Sequence, residues 1–324
     1  MTRDASIQRL RCEIGSRLIG RIDRDYVLLG LPYYLNIGDI LIWEGTRQFL
    51  KTLPFQCLNP GYRYRDEGRI REDTLILLQG GGNFGDLWRW VQEERLAILR
   101  RYPRNPALIF PVSCRYEDPR LLKRDAEELA ACPDLTICAR DQVSYDLLAA
   151  HFQNRILLVP DMAFFINPQP LRKWSDRHPK GLLVLQRADK ERVSDAAHAL
   201  VPPDDGLTIA DWPSMEREPC HWRTYKTLLK WGRKMRHKRA VWRFSDILIL
   251  FSDLFYHQIS RWMLIRQGAT FVGRYRIIRS TRLHGAILAM LLDKDVQLVD
   301  NLDGKISSFY KTWLEYADGV EMVE

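Results

Sequence analysis

Short runs of apolar residues alternate along the chain with segments in which apolar positions recur at helical spacing. Five runs of the kind that forms buried strands lie in the first half, at residues 26–31, 74–78, 107–111, 135–139 and 156–159. Between them, residues 39–50 and 86–100 have the apolar spacing of helices. Because strands alternate with helices, the pattern predicts a parallel sheet covered by helices on both faces.

A second series of strand-like runs follows at residues 181–185, 206–209, 276–280 and 295–299. The proline-containing stretch 167–179 separates the two series and has the composition of a linker. We therefore predict two α/β domains, residues 1–170 and 171–324, each Rossmann-like, which face one another across a central cleft. Ligands of such sheets bind beyond the carboxyl ends of the strands, so residues that follow the predicted strands are the candidates for chemistry.

The composition is that of a globular protein rather than a disordered one, since 46% of the 324 residues are hydrophobic and 28% are charged. No uncharged apolar run reaches the roughly 18 residues of a membrane-spanning helix, and the mixed charges near the N-terminus argue against a secretory signal. The six cysteines include no CxxC pair, which argues against a zinc or iron–sulfur site. We expect a cytoplasmic protein without a bound metal.

Nearly all of the net charge of +8 comes from one segment. Residues 222–243 contain nine Lys and Arg and no acid, so the rest of the chain has a net charge of −1. Aromatic side chains, among them Trp231, are interleaved with these bases. Three interpretations stay open: a solvated helix packed on its own domain, a contact with an anionic membrane surface, and a contact with nucleic acid. The first is the most ordinary, and nucleic acid is the least favoured.

The first candidate motif, Asn36-Ile37-Gly38-Asp39, follows the first predicted strand. Its side-chain oxygens can simply cap the next helix by accepting hydrogen bonds from its unpaired N–H groups. The alternative is chemical: Asn36 and Asp39 would lie on the lip of the cleft and bind substrate, with Asp39 receiving a proton from a hydroxyl group. Both interpretations remain open.

The second motif, residues 79–86, reads QGGGNFGD and directly follows the strand-like run 74–78. Glycines let the backbone approach a ligand closely, and a helix start supplies unpaired N–H groups, so a strand, a glycine-rich turn and a helix would form an anion site. The motif is neither GxxxxGK[ST] nor GxGxxG. We predict that Gly81, Gly82 and Asn83 bind substrate and that Asp86 takes part in catalysis.

Three further candidate motifs follow strands of the second series. Arg282 and His284 come directly after the run 276–280. A guanidinium can bind a carboxylate or phosphate through two hydrogen bonds, and an imidazole can transfer a proton near neutral pH. Arg187 follows the run 181–185 as a second anion-binding candidate, and Lys305 adds a third positive charge after the last run.

In this order, the motifs resemble those of the polysaccharide pyruvyl transferases over about residues 30–313. The likeness also includes Pro111-Val112-Ser113, Ala139-Arg140-Asp141, Pro160-Asp161-Met162-Ala163, Arg187-Ala188-Asp189-Lys190-Glu191, Asp211-Trp212, Arg282-Leu283-His284-Gly285, Asp300-Asn301 and Gly304-Lys305. Any one motif is weak evidence, whereas the ordered set is specific. One departure is Ser280-Thr281, which stands where the family often has Thr-Asp.

The resemblance implies two Rossmann-like domains arranged as in GT-B glycosyltransferases. It implies transfer of pyruvate from phosphoenolpyruvate to two hydroxyls of one sugar as a ketal, with release of phosphate and without a cofactor. It also implies that Arg187, Arg282, Leu283 and His284 bind phosphoenolpyruvate, and that the reaction belongs to the synthesis of a bacterial exopolysaccharide, capsule or cell-wall polymer.

Two rival functions remain. A GT-B nucleotide-sugar glycosyltransferase would also use glycine loops and arginines, although the second domain offers no clear acidic pair for a ribose. A non-catalytic adaptor would dock on a membrane or on nucleic acid through residues 222–243. If that segment lies on a membrane, the protein would be peripheral at the inner face, and its saccharide acceptor could be lipid-linked.

Overall fold

A computed structural model describes residues 1–58, 70–187, 206–236, 242–300 and 304–323 of the chain. Its strands are β1 (Tyr26–Leu29), β2 (Leu75–Leu78), β3 (Gly81–Gly85), β4 (Ala107–Arg115), β5 (Leu135–Ala139), β6 (Arg155–Leu158), β7 (Leu182–Leu185), β8 (Leu207–Ala210), β9 (Ile277–Ser280), β10 (Asp295–Val299) and β11 (Val320–Val323). Residues 188–191 and Asn301 of the motifs above lie outside the described ranges, as do residues 237–241 of the basic segment.

The α-helices are α1 (Arg3–Leu18), α2 (Ile37–Leu50), α3 (Arg89–Arg101), α4 (Pro119–Ala130), α5 (Gln142–His151), α6 (Pro168–Arg172), α7 (Pro213–Glu216), α8 (Cys220–Arg236), α9 (Trp242–Phe255), α10 (Arg261–Val272), α11 (Leu283–Leu291) and α12 (Lys305–Phe309). Short 3₁₀ turns occupy Ile19–Arg21 and Met162–Phe165, and π-helical turns occupy Tyr256–Ser260 and Tyr310–Leu314.

The strands form two sheets in which every pairing of described strands is parallel. The first has the order β1-β2-β4-β5-β6, with β3 paired to β4, and the second has the order β11-β10-β9-β7-β8. Each of the nine strand-like runs of the sequence forms a strand, so the prediction of parallel α/β sheets is confirmed. The GT-B-like arrangement of two domains stays a prediction.

Both sheets reverse their strand order at one point. In the second sheet, β8 lies on one side of β7 and the later strands lie on the other. In the first sheet, Tyr26 of β1 forms a parallel bridge with Cys57 on the side away from β2, so the chain extends in both directions from β1 as well. Such a reversal opens a crevice at the carboxyl ends of the strands, where ligands of α/β sheets bind.

The glycine-rich motif corrects one sequence-based prediction. Residues Gly81–Gly85 form strand β3 rather than a turn, and the next helix, α3, begins only at Arg89. A Cβ atom on Gly85 would overlap the carbonyl oxygen of Arg115, and one on Gly80 would overlap that of Pro111. These glycines therefore let β3 lie directly against β4, and the predicted turn leading straight into a helix N-terminus is wrong.

Helix α2 joins the two halves of the protein. Eleven of its residues are buried, and it packs against α10 and α11 of the second half. One apolar cluster runs through these helices and the strands of both sheets. Helix α1 also reaches the second half, since Arg3 forms ion pairs with Asp293 and Asp295. The boundary predicted at residue 170 therefore separates the strands of the two sheets, although helices α1 and α2 make contacts across it.

Candidate functional site

The carboxyl ends of both sheets border one cavity of about 480 Å³. The predicted residues that line it are Asn36 and Asp39 after β1, Gly82 and Asn83 in β3, Arg187 after β7, Arg282, Leu283 and His284 after β9, and Lys305 after β10. They lie in or after strands at the carboxyl ends of the two parallel sheets, which explains why motifs far apart in the sequence meet here.

Two predicted site residues do not line the cavity. The Asp86 carboxylate accepts hydrogen bonds from the backbone N–H groups of Glu117 and Asp118, at 2.6 and 2.8 Å, and so holds the turn that precedes α4. Gly81 lies beside the cavity wall, where a Cβ atom would come 3.6 Å from Oδ1 of Asp39. The structure therefore gives Asp86 a local structural contact, and leaves Asp39 as the carboxylate of the predicted pair that faces the cavity.

His284 is held by a buried carboxylate from the other sheet. Its Nε2 atom lies 3.1 Å from Oδ2 of Asp161, which follows β6 and is fully buried. Arg140, which follows β5, donates from Nη1 to the same oxygen at 2.9 Å. Burial by itself would raise the pKa of Asp161, but the charge and hydrogen bond of His284, together with Arg140, hold it well below its usual range. The carboxylate is therefore ionised and accepts from both partners.

Arg140 itself lines the cavity and is fixed on two sides. Its Nε donates to Oγ of Ser113 at 2.8 Å, and that hydroxyl donates to Asp141 at 2.6 Å. Its Nη2 lies over the backbone of Gly82, where a Cβ atom would come within 3.1 Å. The absence of a side chain at Gly82 thus gives the guanidinium access to the cavity.

The contact between Gly38 and His284 explains why the first motif contains a glycine at this position. A Cβ atom at this position would lie 3.0 Å from both Cβ and Nδ1 of His284. The N-terminus of α2 therefore packs directly against the imidazole ring, and any larger residue here would push the ring from its position. The motif positions the histidine as well as starting the helix.

The Asn36 side chain caps helix α2, and both Asn36 and Asp39 border the cavity. Asn36 caps α2 by accepting from Gly38 N–H at 3.0 Å, and its amide donates to Oδ2 of Asp39 at 2.8 Å. Tyr34, which also lines the cavity, hydrogen bonds to Asp39. Burial, with the charge and hydrogen bond of Asp39, raises the pKa of Tyr34 well above its usual value, so the phenol stays protonated as a donor.

Arg282 is paired with a carboxylate of its own sheet. Its Nε and Nη2 atoms each donate to Asp211 at 2.6 Å, and both side chains are at least 93% buried. Asp211 follows β8 and also caps the next turn by accepting from Trp212 N–H. This two-point pair fixes the plane of the guanidinium at the cavity wall.

Arg187 and Lys305 place two further cations on the second sheet's side of the cavity. The backbone N–H of Arg187 donates to Oγ1 of Thr281 at 3.2 Å, which ties the end of β7 to the end of β9. The other side of the cavity carries aromatic side chains: Tyr33, Tyr34, Trp88 and Trp90. The cavity therefore has cations suited to a small anion and aromatic side chains suited to packing against a ring with C–H groups on its face and polar groups at its edge.

The basic segment contributes most of helix α8, which buries Tyr225 and Leu229 in the apolar cluster shared by both halves of the chain and exposes Arg223, Lys226 and Lys230. Within the described part of the chain, no three His, Cys, Asp or Glu side chains group as metal ligands would. In the same part of the chain, no helix combines the length and apolar character needed to cross a bilayer.

Sequence reasoning gave no role to Arg140, Asp161 or Tyr34, although it quoted the first two within motifs. Arg140 and Asp161 each follow a strand of the first sheet directly or closely, which is the same signal that identified Arg187 and Arg282. Treating every charged residue that follows a predicted strand as a candidate would have identified Arg140 and Asp161. No comparable signal marks Tyr34, because its contact with Asp39 depends on the path of a loop.

The chain is similar in sequence to several known proteins. A family model described as polysaccharide pyruvyl transferase matches residues 36–301. A protein of Bacillus subtilis (strain 168) named as a pyruvyl transferase, EpsO, is 29% identical over 305 residues, covering 90% of this chain and 86% of that one. Pyruvyl transferase 1 of Schizosaccharomyces pombe is 26% identical over 321 residues, covering 91% and 72%. The matched range contains the cavity residues from Asn36 to His284.

A solved structure shares the fold. The crystal structure of a functionally uncharacterised protein from Klebsiella pneumoniae aligns with a TM-score of 0.59, and the alignment covers 97% of this chain and 98% of that chain. The sequences are 17% identical, so the likeness concerns the architecture of the chain alone.

Proposed function

Because the chain belongs to the polysaccharide pyruvyl transferase family, we propose that it transfers the pyruvyl group of phosphoenolpyruvate to two hydroxyls of one sugar as a ketal. The observation that carries the proposal is the cationic part of the cavity, where Arg187, Arg282 and Lys305 border the same space as His284. Phosphoenolpyruvate bears a carboxylate and a phosphate on adjacent positions of a small molecule, and such a group of cations suits both.

The proposed reaction balances without an added reactant. The methylene carbon of phosphoenolpyruvate takes a proton, which leaves the neighbouring carbon cationic. One sugar hydroxyl forms a C–O bond to that carbon, the bond to the phosphate oxygen breaks, and phosphate leaves with the electron pair. A second hydroxyl of the same sugar then closes the ketal. The two sugar hydroxyls release two protons. One replaces the proton taken up by the methylene carbon, and the other leaves with phosphate.

The residues of the cavity divide these tasks. His284, held by Asp161, is the proposed proton donor or phosphate partner. Arg187, Arg282 and Lys305 stabilise the charge of the donor and of the departing phosphate. Asp39, held by Asn36 and Tyr34, is the proposed base for a sugar hydroxyl.

The aromatic part of the cavity is the proposed place for the acceptor. Trp88, Trp90 and Tyr33 border it, and large flat rings with a polar edge pack well against a sugar ring. The proposed pathway is the cytoplasmic synthesis of an exopolysaccharide, capsule or cell-wall polymer, with a lipid-linked saccharide and an anionic membrane surface as further proposed partners.

Calorimetric titration with phosphoenolpyruvate, beside UDP-sugars, tests the donor. The wild type should bind phosphoenolpyruvate, and Arg282→Ala should bind it at least tenfold more weakly. Arg276→Ala is the matched control, since Arg276 is exposed at the opposite end of the same strand. Binding of a UDP-sugar without phosphoenolpyruvate would overturn the proposal in favour of a glycosyltransferase.

A second variant separates binding from folding. Arg282→Ala leaves Asp211 buried without the guanidinium, which is destabilising. The double variant Arg282→Met with Asp211→Asn removes both charges and should keep more stability, yet it should still lose phosphoenolpyruvate. If the double variant folds and binds the donor as the wild type does, Arg282 has no part in donor binding.

A further inference from the structure

Helices α8 and α9 pack tightly against each other at a glycine. A Cβ atom on Gly232 of α8 would lie 2.8 Å from Cγ1 of Ile249 of α9. Ser245 and Ser252 of α9 are buried. The two helices thus form a hairpin with a defined inner side, and the opposite side of α9 is directed away from these contacts.

That opposite side of α9 is apolar and exposed. Five large side chains recur at intervals of three or four residues along one stripe, and each is at least 45% exposed: Phe244, Ile247, Leu250, Phe251 and Leu254. Two more large apolar side chains are exposed further along the chain, Ile259 in the π-helical turn and Met263 in α10. Single exposed apolar residues are ordinary, whereas a contiguous stripe of this size marks an interaction surface.

The other helix of the hairpin is basic. Helix α8 contains no acidic residue, and its exposed bases are Arg223, Lys226, Lys230, Arg233 and Lys234. Trp231 lies among them and is 58% exposed. An apolar stripe beside a row of bases that includes an exposed tryptophan is the composition of a helical hairpin that lies in the interface of a bilayer.

We propose that the apolar stripe of α9 inserts into the surface of an anionic phospholipid bilayer while the bases of α8 contact the lipid headgroups. A second copy of the chain fits this surface less well, because two hairpins meeting there would bring two rows of five bases together. An anionic bilayer instead offers the opposite charge along with an apolar layer. The bases lie within the segment 222–243 that the sequence singled out, whereas the apolar stripe begins directly after it, at Phe244.

The hairpin is connected to the cavity. Tyr225 of α8 stacks on Tyr33 with ring centroids 6.2 Å apart, and Tyr33 lines the cavity. A membrane-bound hairpin therefore holds the cavity wall close to the lipid surface. If the proposed function is right, this placement suits a saccharide acceptor carried on a membrane lipid; the membrane contact itself does not depend on that function.

Vesicle flotation of the full chain tests the contact. The wild type should float with vesicles of equal parts phosphatidylcholine and phosphatidylglycerol, and much less with phosphatidylcholine alone. The triple variant Lys230→Gln, Arg233→Gln and Lys234→Gln should bind the mixed vesicles roughly a hundredfold more weakly. The double variant Ile247→Ser and Phe251→Ser should lose most of the binding. Val143→Ser, an exposed apolar residue on α5, is the matched control and should bind as the wild type does.

Three results would overturn the proposal: no flotation of the wild type, equal binding to both kinds of vesicle, or full binding by the Ile247/Phe251 variant. Sedimentation of the wild type as a dimer that this variant dissociates would assign the stripe to a second copy instead. Titration of the same variants with phosphoenolpyruvate keeps the two proposals apart, since the surface variants should retain donor binding whether or not the wild type floats.

Discussion

The imidazole of His284 and the carboxylate of Asp161 lie 3.1 Å apart, although 123 residues separate them in the chain. His284 follows a strand of the second sheet and Asp161 follows a strand of the first. One hydrogen bond therefore connects the two sheets at the cavity. Because Asp161 is fully buried and also binds Arg140, this pair links the stability of the protein to the orientation of its candidate proton donor.

Removing this carboxylate should cost both stability and activity. We expect Asp161→Asn to lower the free energy of unfolding by about 3–5 kcal/mol, because it leaves Arg140 buried without its charge partner. Turnover should fall more than tenfold, since the imidazole loses its orienting acceptor. Urea unfolding and phosphate release measure the two effects. Asp4→Asn, which breaks the exposed pair with Arg172, should cost less than about 1 kcal/mol.

The pH dependence of this pair has a definite sign. The pKa of Asp161 is lowered in the folded state, so its contribution to stability is present above the ordinary aspartate range. That contribution is lost only as the pH falls through the folded-state pKa under strongly acidic conditions. If Asp161→Asn unfolds with the wild-type free energy at neutral pH, the pair does not stabilise the fold.

Gly38→Ala should reduce activity through the histidine it touches. The added methyl would lie 3.0 Å from the ring of His284 and must displace it. We expect turnover to fall at least tenfold, with a cost in stability of about 1–3 kcal/mol. Gly15→Ala, in helix α1, has only Ile19 within 3.8 Å and should gain up to about 1 kcal/mol without loss of turnover. Wild-type turnover in Gly38→Ala would show that the ring position is unimportant.

The two candidate carboxylates should behave differently. Asp39→Asn should lower turnover by about a hundredfold or more, the usual contribution of a general base. Asp86→Asn should lower it less than tenfold, because Asp86 contacts backbone N–H groups outside the cavity, and should cost about 1 kcal/mol of stability as a lost cap. Steady-state turnover with saturating donor distinguishes them, and the reverse order would restore Asp86 as the base.

His257 should make the protein less stable in mild acid. Burial, helped by the charge of Arg47, lowers its pKa to about 4 from an ordinary value of 6.5. Its Nε2 lies 2.8 Å from the hydroxyl of Tyr33. The unfolded chain therefore binds a proton that the folded chain does not, and stability should fall by about 3 kcal/mol as the pH drops from 7 towards 4.

Urea unfolding between pH 7 and pH 4 measures this dependence. His257→Gln should flatten the slope below pH 6.5, because it removes the group that titrates differently in the two states. His178→Gln, at an exposed histidine, controls for the loss of an imidazole elsewhere. An unchanged slope in His257→Gln would assign the acid sensitivity to other groups.

The sequence alone determined the strands and the residues at their ends. A buried parallel strand reads as a short apolar run because both of its faces are covered, so the nine runs were visible from local pattern. The same pattern placed Arg187, Arg282 and His284 after strands, where ligands of such sheets bind. It could not show that Gly81–Gly85 form a strand, because those residues lack the side chains that give a strand its periodicity.

Only the tertiary structure decided which of these residues meet and which groups hold them. Arg282 is paired with Asp211, 71 residues away, and His284 with Asp161 of the other sheet. The exposed stripe of α9 is likewise invisible in the sequence, where its apolar residues resemble those of any buried helix. Periodicity records how a segment is folded locally, whereas partners and exposure depend on how distant segments pack, and no local pattern encodes that packing.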